Sequence, residues 1–365
     1  MTKPSIAVAL DEPEIREALR GAIEQLAPPS TLRDAEGEGG RANTGVWDEL
    51  RRGSWLSLAA PVGGADAEAL LGLHLLLVEN GYAGAPAPIT TFAETAYFVA
   101  ASARSEDDPV VAGLLDGALW TACIPRPGDD LRLADGRLSG TVHLVAHAAD
   151  AQRLIVPWQQ DGRTTWRAVD LSGSRDGVEL RFLPTMSQQP LFTVTLDAVE
   201  SEHICALDDV SVDSVLRLRA FSESATIAGL IWRVLDMTVE HAGTRFQFGR
   251  AIGSFQAVQH KLANVTIGGQ ALMHLSREAA LMIGEHGIGD PAAVAAVAEA
   301  VNLARRAANL AAQEAHQIWA GSGVSLEFDL QLFTRRLKSA AYRLPEPDDV
   351  AGDILSVRFP TTVNN

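Results

Sequence analysis

Lysine is almost missing from this chain. Of the 30 lysines and arginines together, only Lys3, Lys261 and Lys338 are lysine. Positive charge as a whole is short, with 30 basic against 46 acidic residues and a formal net charge of −16. A nucleic-acid or anionic-membrane binder wants a basic face, so both classes are excluded, while a local basic pocket for a phosphorylated ligand stays open. Only Cys123 and Cys205 are cysteine. They make neither a disulfide framework nor a Cys-rich zinc site, and a reducing, cytoplasmic location is expected. Long apolar runs are also absent. Leu70–Val78 is broken by His74 and too short to span a bilayer. The opening MTKPSIAVALDEPE has a short apolar run with proline, followed at once by acids, and reads as no signal peptide. His241, His260, His274 and His316 fall on expected helices, spaced too widely for an i, i+4 metal pair, so no metal is expected.

What is present supports a large core. Hydrophobic residues make up 47% and charged residues 21% of 365. That length implies two or three domains or layers. Asp11 and Glu14 open a helix whose Ile15, Leu19, Ile23 and Leu26 recur at 3–4 spacing, and Pro28-Pro29 ends it. Residues 30–45 are polar and glycine-rich and read as a loop. A short helix is expected around Trp47–Arg52, an amphipathic one near Asp66–Asn80, and apolar runs cover Ile89–Ala103 and Pro109–Leu115. Residues 1–117 thus read as an all-helical domain.

The pattern then changes. Leu119–Ile124, Arg137–Val145, Arg153–Pro157, Thr165–Asp170, Val178–Phe182 and Leu191–Val199 are strand-like runs separated by turns such as Ala134-Asp135-Gly136. Residues 118–212 therefore read as a small antiparallel sandwich or barrel. Helical periodicity returns over Ser214–Ala242, Ser254–Glu285, Pro291–Trp319 and Leu326–Tyr342, which makes 213–350 a four-helix bundle. Pro345 and Pro347 break the last helix, and 351–365 is a tail. The fold class is a multidomain α+β chain: helical domain, small antiparallel β-domain, four-helix bundle.

Three elements stand in and beside the bundle: Arg245-Phe246-Gln247-Phe248-Gly249; then Phe255-Gln256 with Gln259-His260-Lys261-Leu262-Ala263; then Gln317-Ile318-Trp319-Ala320-Gly321-Ser322-Gly323. In order and spacing they resemble the Arg-x-x-Phe-Gly, Phe-Gln and Gln-x-x-x-Gly-x-Gly elements of the acyl-CoA dehydrogenase family. The resemblance is strong over 214–343, weak at the N-terminus, and fits the domain order. It implies an acyl-CoA dehydrogenase-like fold, FAD held in an extended pose across a subunit interface, and a tetramer. Carried over residue by residue, Arg245 meets the pyrophosphate. Phe248 and Gln256 meet the adenosine half, and Gln317 with Gly321 the pyrophosphate and ribose. The chemistry suits those roles, since a guanidinium offers paired donors to phosphate oxygens and glycine lets backbone come close.

Other family elements are degraded. The flavin-side loop reads Cys123-Ile124-Pro125-Arg126-Pro127-Gly128-Asp129-Asp130. The element following Gly140-Thr141 has Leu144 for its aromatic, Ala146 for its hydroxyl residue and His147 for its amide. Dehydrogenation also needs a carboxylate to take the α-proton of the thioester. The two positions where relatives keep Glu fall on Leu344, 21 residues past Gly323, and on Arg219, 30 before Gly249. Glu223, one turn beyond Arg219, and Glu346, two residues beyond Leu344, are the substitute candidates.

Three functions follow from the resemblance. One is a catalytically silent subunit of an α2β2 acyl-CoA dehydrogenase, like some actinobacterial relatives, completing the FAD site of a homologous partner. The second is a self-sufficient dehydrogenase with Glu223 as its base. The third is a non-enzymatic scaffold, against which Arg245, Gln256 and Gln317 together speak. The partners implied are an acyl-CoA thioester of lipid or steroid catabolism, a homologous subunit and an electron-transfer partner.

Overall fold

The computed structural model describes residues 13–37, 44–53, 55–58, 67–101, 118–124, 129–160, 163–173, 176–203 and 211–358. The expected element Pro109–Leu115 and the end of the tail, 359–365, lie outside the described residues. Helices α1 (Pro13–Leu26), α2 (Pro29–Gly37), α3 (Thr44–Arg52), α4 (Ala67–Ala83) and α5 (Ile89–Ala101) come first. Strands β1 (Trp120–Ala122), β2 (Asp130–Ala134), β3 (Arg137–Ala146), β4 (Arg153–Gln160), β5 (Arg163–Asp170), β6 (Val178–Phe182), β7 (Leu191–Glu200) and β8 (Glu202–His203) follow. The rest is α6 (Val212–Thr244), β9 (Phe246–Gln247), β10 (Arg250–Ala251), α7 (Gln256–His286), α8 (Pro291–Trp319), α9 (Gly321–Val324), α10 (Leu330–Arg343) and α11 (Pro347–Arg358). The contacts divide the chain into two units. One holds 1–30, 74–85 and 220–365, the other 31–73 and 86–219.

The second unit contains two four-stranded sheets, ordered β1-β4-β5-β8 and β2-β3-β7-β6. All pairings are antiparallel except β1 with β4, where Trp120, Thr121 and Ala122 run parallel to Arg153, Leu154 and Ile155. β2 and β6 alternate exposed and half-buried residues, as strands with one covered face do. Trp120, Ile155, Trp166 and Val215 form an apolar core, with Tyr97 packed against it.

In the first unit, α6, α7, α8 and α10 are the expected bundle helices. Asp290 caps α8 by accepting from the Ala292 N–H at 2.8 Å, and Pro291 occupies its first turn. Alanines such as Ala293, Ala300, Ala304, Ala308 and Ala311 form the buried face of α8. Helices α4 and α6 cross at backbone contact. A Cβ on Gly81 would lie 2.3 Å from the Thr226 carbonyl oxygen, and one on Gly229 2.0 Å from that of Val78. The Glu79 carboxylate of α4 is fully buried and takes Arg16 at 2.8 Å and Arg20 at 2.6 Å from α1. A buried carboxylate is tolerable only with such partners.

Three elements differ from the sequence reading. Helix α2 occupies the start of the expected loop, and α11 occupies the expected tail. Both begin on a proline, Pro29 and Pro347, because the first helical position needs no N–H and already has proline's φ. Helix α4 is not amphipathic, since every residue from Leu70 to Ala83 is buried. No described helix is long and apolar enough to cross a membrane.

Candidate cofactor site

Helix α6 ends with the Arg245 N–H donating to the His241 carbonyl at 2.9 Å. The chain then turns back in a hairpin in which Gln247 pairs with Arg250 and Phe246 with Ala251. Its two-residue loop, Phe248-Gly249, has both φ values positive, +53° and +80°. Such a loop matches the twist of the strands but favours Asn-Gly. A bulky residue at positive φ costs about 1–2 kcal/mol. The strain places the Phe248 ring at the tip, 91% exposed, with its edge toward Phe255 at 6.1 Å. Arg250 covers Phe255 at 4.1 Å. Arg245 and Gln256 are exposed, and the Arg245 guanidinium has no partner among the described residues.

The second element lies where α8 stops. Ala320 adopts φ 52°, ψ −136°, and Gly321 and Gly323 follow. The two glycines have different jobs. A Cβ on Gly321 would meet nothing within 4 Å, so its backbone is open to solvent. One on Gly323 would press on Trp319 Cβ at 2.9 Å and His316 Nδ1 at 3.0 Å, so that glycine seats the turn on α8. Gln317 is exposed one turn before Gly321, and its Oε1 accepts from Lys261 Nζ at 2.6 Å; the same ammonium pairs with Glu314. His241 stacks on Trp319 at 4.1 Å. Burial and then Arg245 hold the His241 pKa below its usual value, and burial and then Lys338 do the same for His316. At neutral pH both rings are uncharged, and the fixed positive charges are Arg245 beside His241 and Lys338 beside His316.

The candidate base positions are committed elsewhere. In one unit, Arg219 donates to both Glu94 oxygens at 2.6 and 2.8 Å and to the Ala122 carbonyl at 3.4 Å. In the other, Leu344 is 3% exposed, and its carbonyl accepts from Arg305 at 2.9 Å. Glu223 is buried with both oxygens on Arg343, at 2.7 and 2.9 Å. Glu346 is exposed, its carbonyl capping the first turn of α11 through the Val350 N–H. Neither Glu94 nor Arg343 stood out in the sequence, because each meets its partner more than a hundred residues away. Lys261 had one visible signal, its rarity.

On the sheet, Leu144 and His147 both have positive φ, 57° and 54°. Leu144 is exposed and His147 buried, and the Ala146 carbonyl accepts from the Thr121 hydroxyl at 2.7 Å. His143 donates its backbone N–H to Asp129 and sets its Nδ1 2.7 Å from the same carboxylate oxygen. Residues 125–128 lie outside the described residues. The residues present fit the diphosphate and adenosine half of FAD: an unpaired guanidinium, an amide with free N–H donors, open backbone at Gly321 and an exposed ring. They do not fit its isoalloxazine half by side chain, because the aromatic and hydroxyl positions hold Leu144 and Ala146. Among the described residues no group of three or more His, Cys, Asp or Glu could hold a metal.

Residues 212–342 match the family description "Acyl-CoA dehydrogenase, C-terminal domain". Over that stretch the chain carries an acyl-CoA dehydrogenase C-terminal domain. It is 26% identical to acyl-CoA dehydrogenase IpdE2 of Mycobacterium tuberculosis, over 93% of this chain and 95% of that one. It is 28% identical to acyl-CoA dehydrogenase FadE28 of the same organism, over 62% and 68%. Among solved structures it superimposes on the ChsE4-ChsE5 complex of M. tuberculosis with a TM-score of 0.81 at 24% identity, covering 100% of this chain and 99% of that one. That likeness shows the acyl-CoA dehydrogenase fold: helices, small sheets, then the C-terminal bundle.

Proposed function

We propose that this chain is the silent subunit of an FAD-dependent acyl-CoA dehydrogenase, completing the FAD site of a homologous catalytic partner. One observation carries the reading. Both positions where relatives keep the base are built into structure here, Arg219 on Glu94 and Leu344 in the core, and the substitute Glu223 is held by Arg343. A buried carboxylate whose two oxygens both accept from one guanidinium is committed to that ion pair, and taking a substrate proton would break it.

The chain's own contribution is binding. Arg245 would neutralise and orient the diphosphate, Gln317 and the Gly321 backbone would donate to its oxygens, and Phe248 with Gln256 would hold the adenosine. Bound FAD supplies acceptance of a hydride from the substrate's β-carbon. Proton removal and most of the ring's environment belong to the partner chain. ChsE4-ChsE5 is itself a complex of two chains, which supports a heteromeric assembly, and an α2β2 tetramer in the cytoplasm is the expected form. An acyl-CoA thioester of lipid or steroid breakdown is the proposed substrate, with a separate electron-transfer protein to reoxidise the cofactor.

Co-expression with a homologous chain carrying a Glu at a base position tests this. The expected result is a yellow tetramer with two FAD and turnover of acyl-CoA. Flavin and turnover in this chain alone would overturn the silent-subunit reading.

A further inference from the structure

Lys261 sits in the second turn of α7 and reaches the last turns of α8. There its ammonium meets two side chains on one helix face, the Glu314 carboxylate and, at 2.6 Å, Oε1 of Gln317. The ammonium and the carboxylate are both half-buried, whereas Gln317 is exposed. A lysine paired with Glu314 alone would be an ordinary ion pair of small worth. The third partner changes its meaning. An ammonium has only donors, and an amide has a donor end and an acceptor end. Gln317 must therefore turn its oxygen to Lys261, because the flipped amide would set two donor groups against each other. Its N–H donors are left facing away, with no partner among the described residues. Gly321, with open space where a Cβ would be, follows one turn later.

The geometry points to Lys261 as a positioning residue for the diphosphate of FAD: it fixes Gln317 so that amide donors, not the amide oxygen, face the phosphates. The assignment rests on the cofactor-site reading above. Free glutamine has many rotamers and two amide orientations, half of which would present an acceptor to an anion. Ordering the side chain beforehand removes that cost from binding. Glu314 supports the same role. It anchors the ammonium and offsets its charge, so Lys261 acts through Gln317, while Arg245 remains the unpaired cation of the site.

The test uses the complex with its homologous partner, stripped of flavin and titrated with FAD by quenching of flavin fluorescence. Lys261→Met should weaken FAD by about tenfold, since an oriented hydrogen bond to a charged oxygen is lost. Lys261→Arg, which can still donate to Oε1, should stay within about threefold of the parent. In a Gln317→Ala background, Lys261→Met should add less than about twofold, because two residues acting through one contact are not additive. Unchanged affinity in Lys261→Met overturns the assignment. So does a full tenfold loss that persists in the Gln317→Ala background, which would make Lys261 a direct phosphate contact. If Arg245→Ala and Gln317→Ala both leave FAD binding intact, the cofactor-site reading itself falls, and this assignment with it.

Discussion

Arg343 holds both carboxylate oxygens of Glu223, at 2.7 and 2.9 Å, joining the end of α10 to the first half of α6. Both side chains are largely withdrawn from solvent, 25% and 9% exposed. The pair is therefore structural. Glu223→Gln should leave turnover of the assembled complex within a few-fold, where loss of a true general base costs roughly 10²–10⁴-fold. It should destabilise the chain by about 1–3 kcal/mol, because Arg343 loses its charged partner. Urea unfolding and an acyl-CoA assay with an artificial acceptor read the two effects separately. A rate collapse with flavin content preserved would instead make Glu223 the base.

The strained tip of the hairpin separates stability from binding. Phe248 sits at φ +53° ahead of Gly249, in a loop that favours Asn-Gly. Phe248→Asn should leave the chain as stable as before, or more stable by about 1 kcal/mol. The same change should weaken FAD, because the exposed ring is lost. Arg245→Ala should weaken FAD by about tenfold or more with no gain in stability. Thermal melts paired with FAD titration decide. A Phe248→Asn chain that melts clearly lower, with FAD affinity unchanged, would show the ring packing for the fold alone.

Much of this was legible in the sequence because it is local. The helical period of α8 gave its bounds, Pro291 to Trp319, residue for residue, since an N-cap, a leading proline and a glycine exit all sit in sequence. The three elements proposed to hold the cofactor stand in the sequence as short runs in a fixed order. Prolines misled in both directions: Pro29 and Pro347 read as breakers but start helices, because the same missing N–H that ends one helix is harmless at the first turn of the next. What composition could not show was the commitment of charged residues to one another. Arg219 with Glu94 and Glu223 with Arg343 are pairs across more than a hundred residues, and nothing in either local pattern names the partner. The two-residue β8 is too short to leave a periodic signal, whereas β2, missing from the expected strands, does alternate at Leu131-Arg132-Leu133.

One helix face predicts assembly. On α7 the exposed positions Gln256, His260, Ala263, Asn264, Ile267, Gln270 and His274 recur at 3–4 spacing, and no charged residue occurs from Leu262 to Ser276. Ile267 is 67% exposed there, and Val324 at the end of α9 and Leu326 just beyond it are also exposed. A solvated helix face normally carries charge, so this one is expected to be covered by another subunit. Ile267→Glu should shift the assembly toward smaller species and lower FAD occupancy with it. Light scattering and sedimentation of parent and variant check this. A parent that runs at the mass of one chain with FAD bound would overturn the expectation.

His74 predicts a pH dependence of stability. Its ring is buried on α4, with Nε2 2.9 Å from the Ser276 hydroxyl, and stacks near Phe221. Burial, reinforced by Arg16 and Arg277, lowers its pKa from 6.5 to about 3. The unfolded chain therefore binds a proton below about pH 6.5 that the folded chain refuses until about pH 3. Stability is flat in this group above pH 6.5 and falls as pH drops through that window, by up to about 1.4 kcal/mol per unit. His74→Gln removes the titration and should cost about 1–2 kcal/mol at pH 7 through a poorer hydrogen bond and packing. Between pH 7 and pH 5 that deficit should shrink by roughly 2 kcal/mol, because only the parent loses this contribution. Urea unfolding of both proteins at pH 7, 6 and 5 gives the comparison directly, since every other titrating group is shared. Parallel curves would show that the folded chain accepts a proton at His74 as readily as the unfolded one.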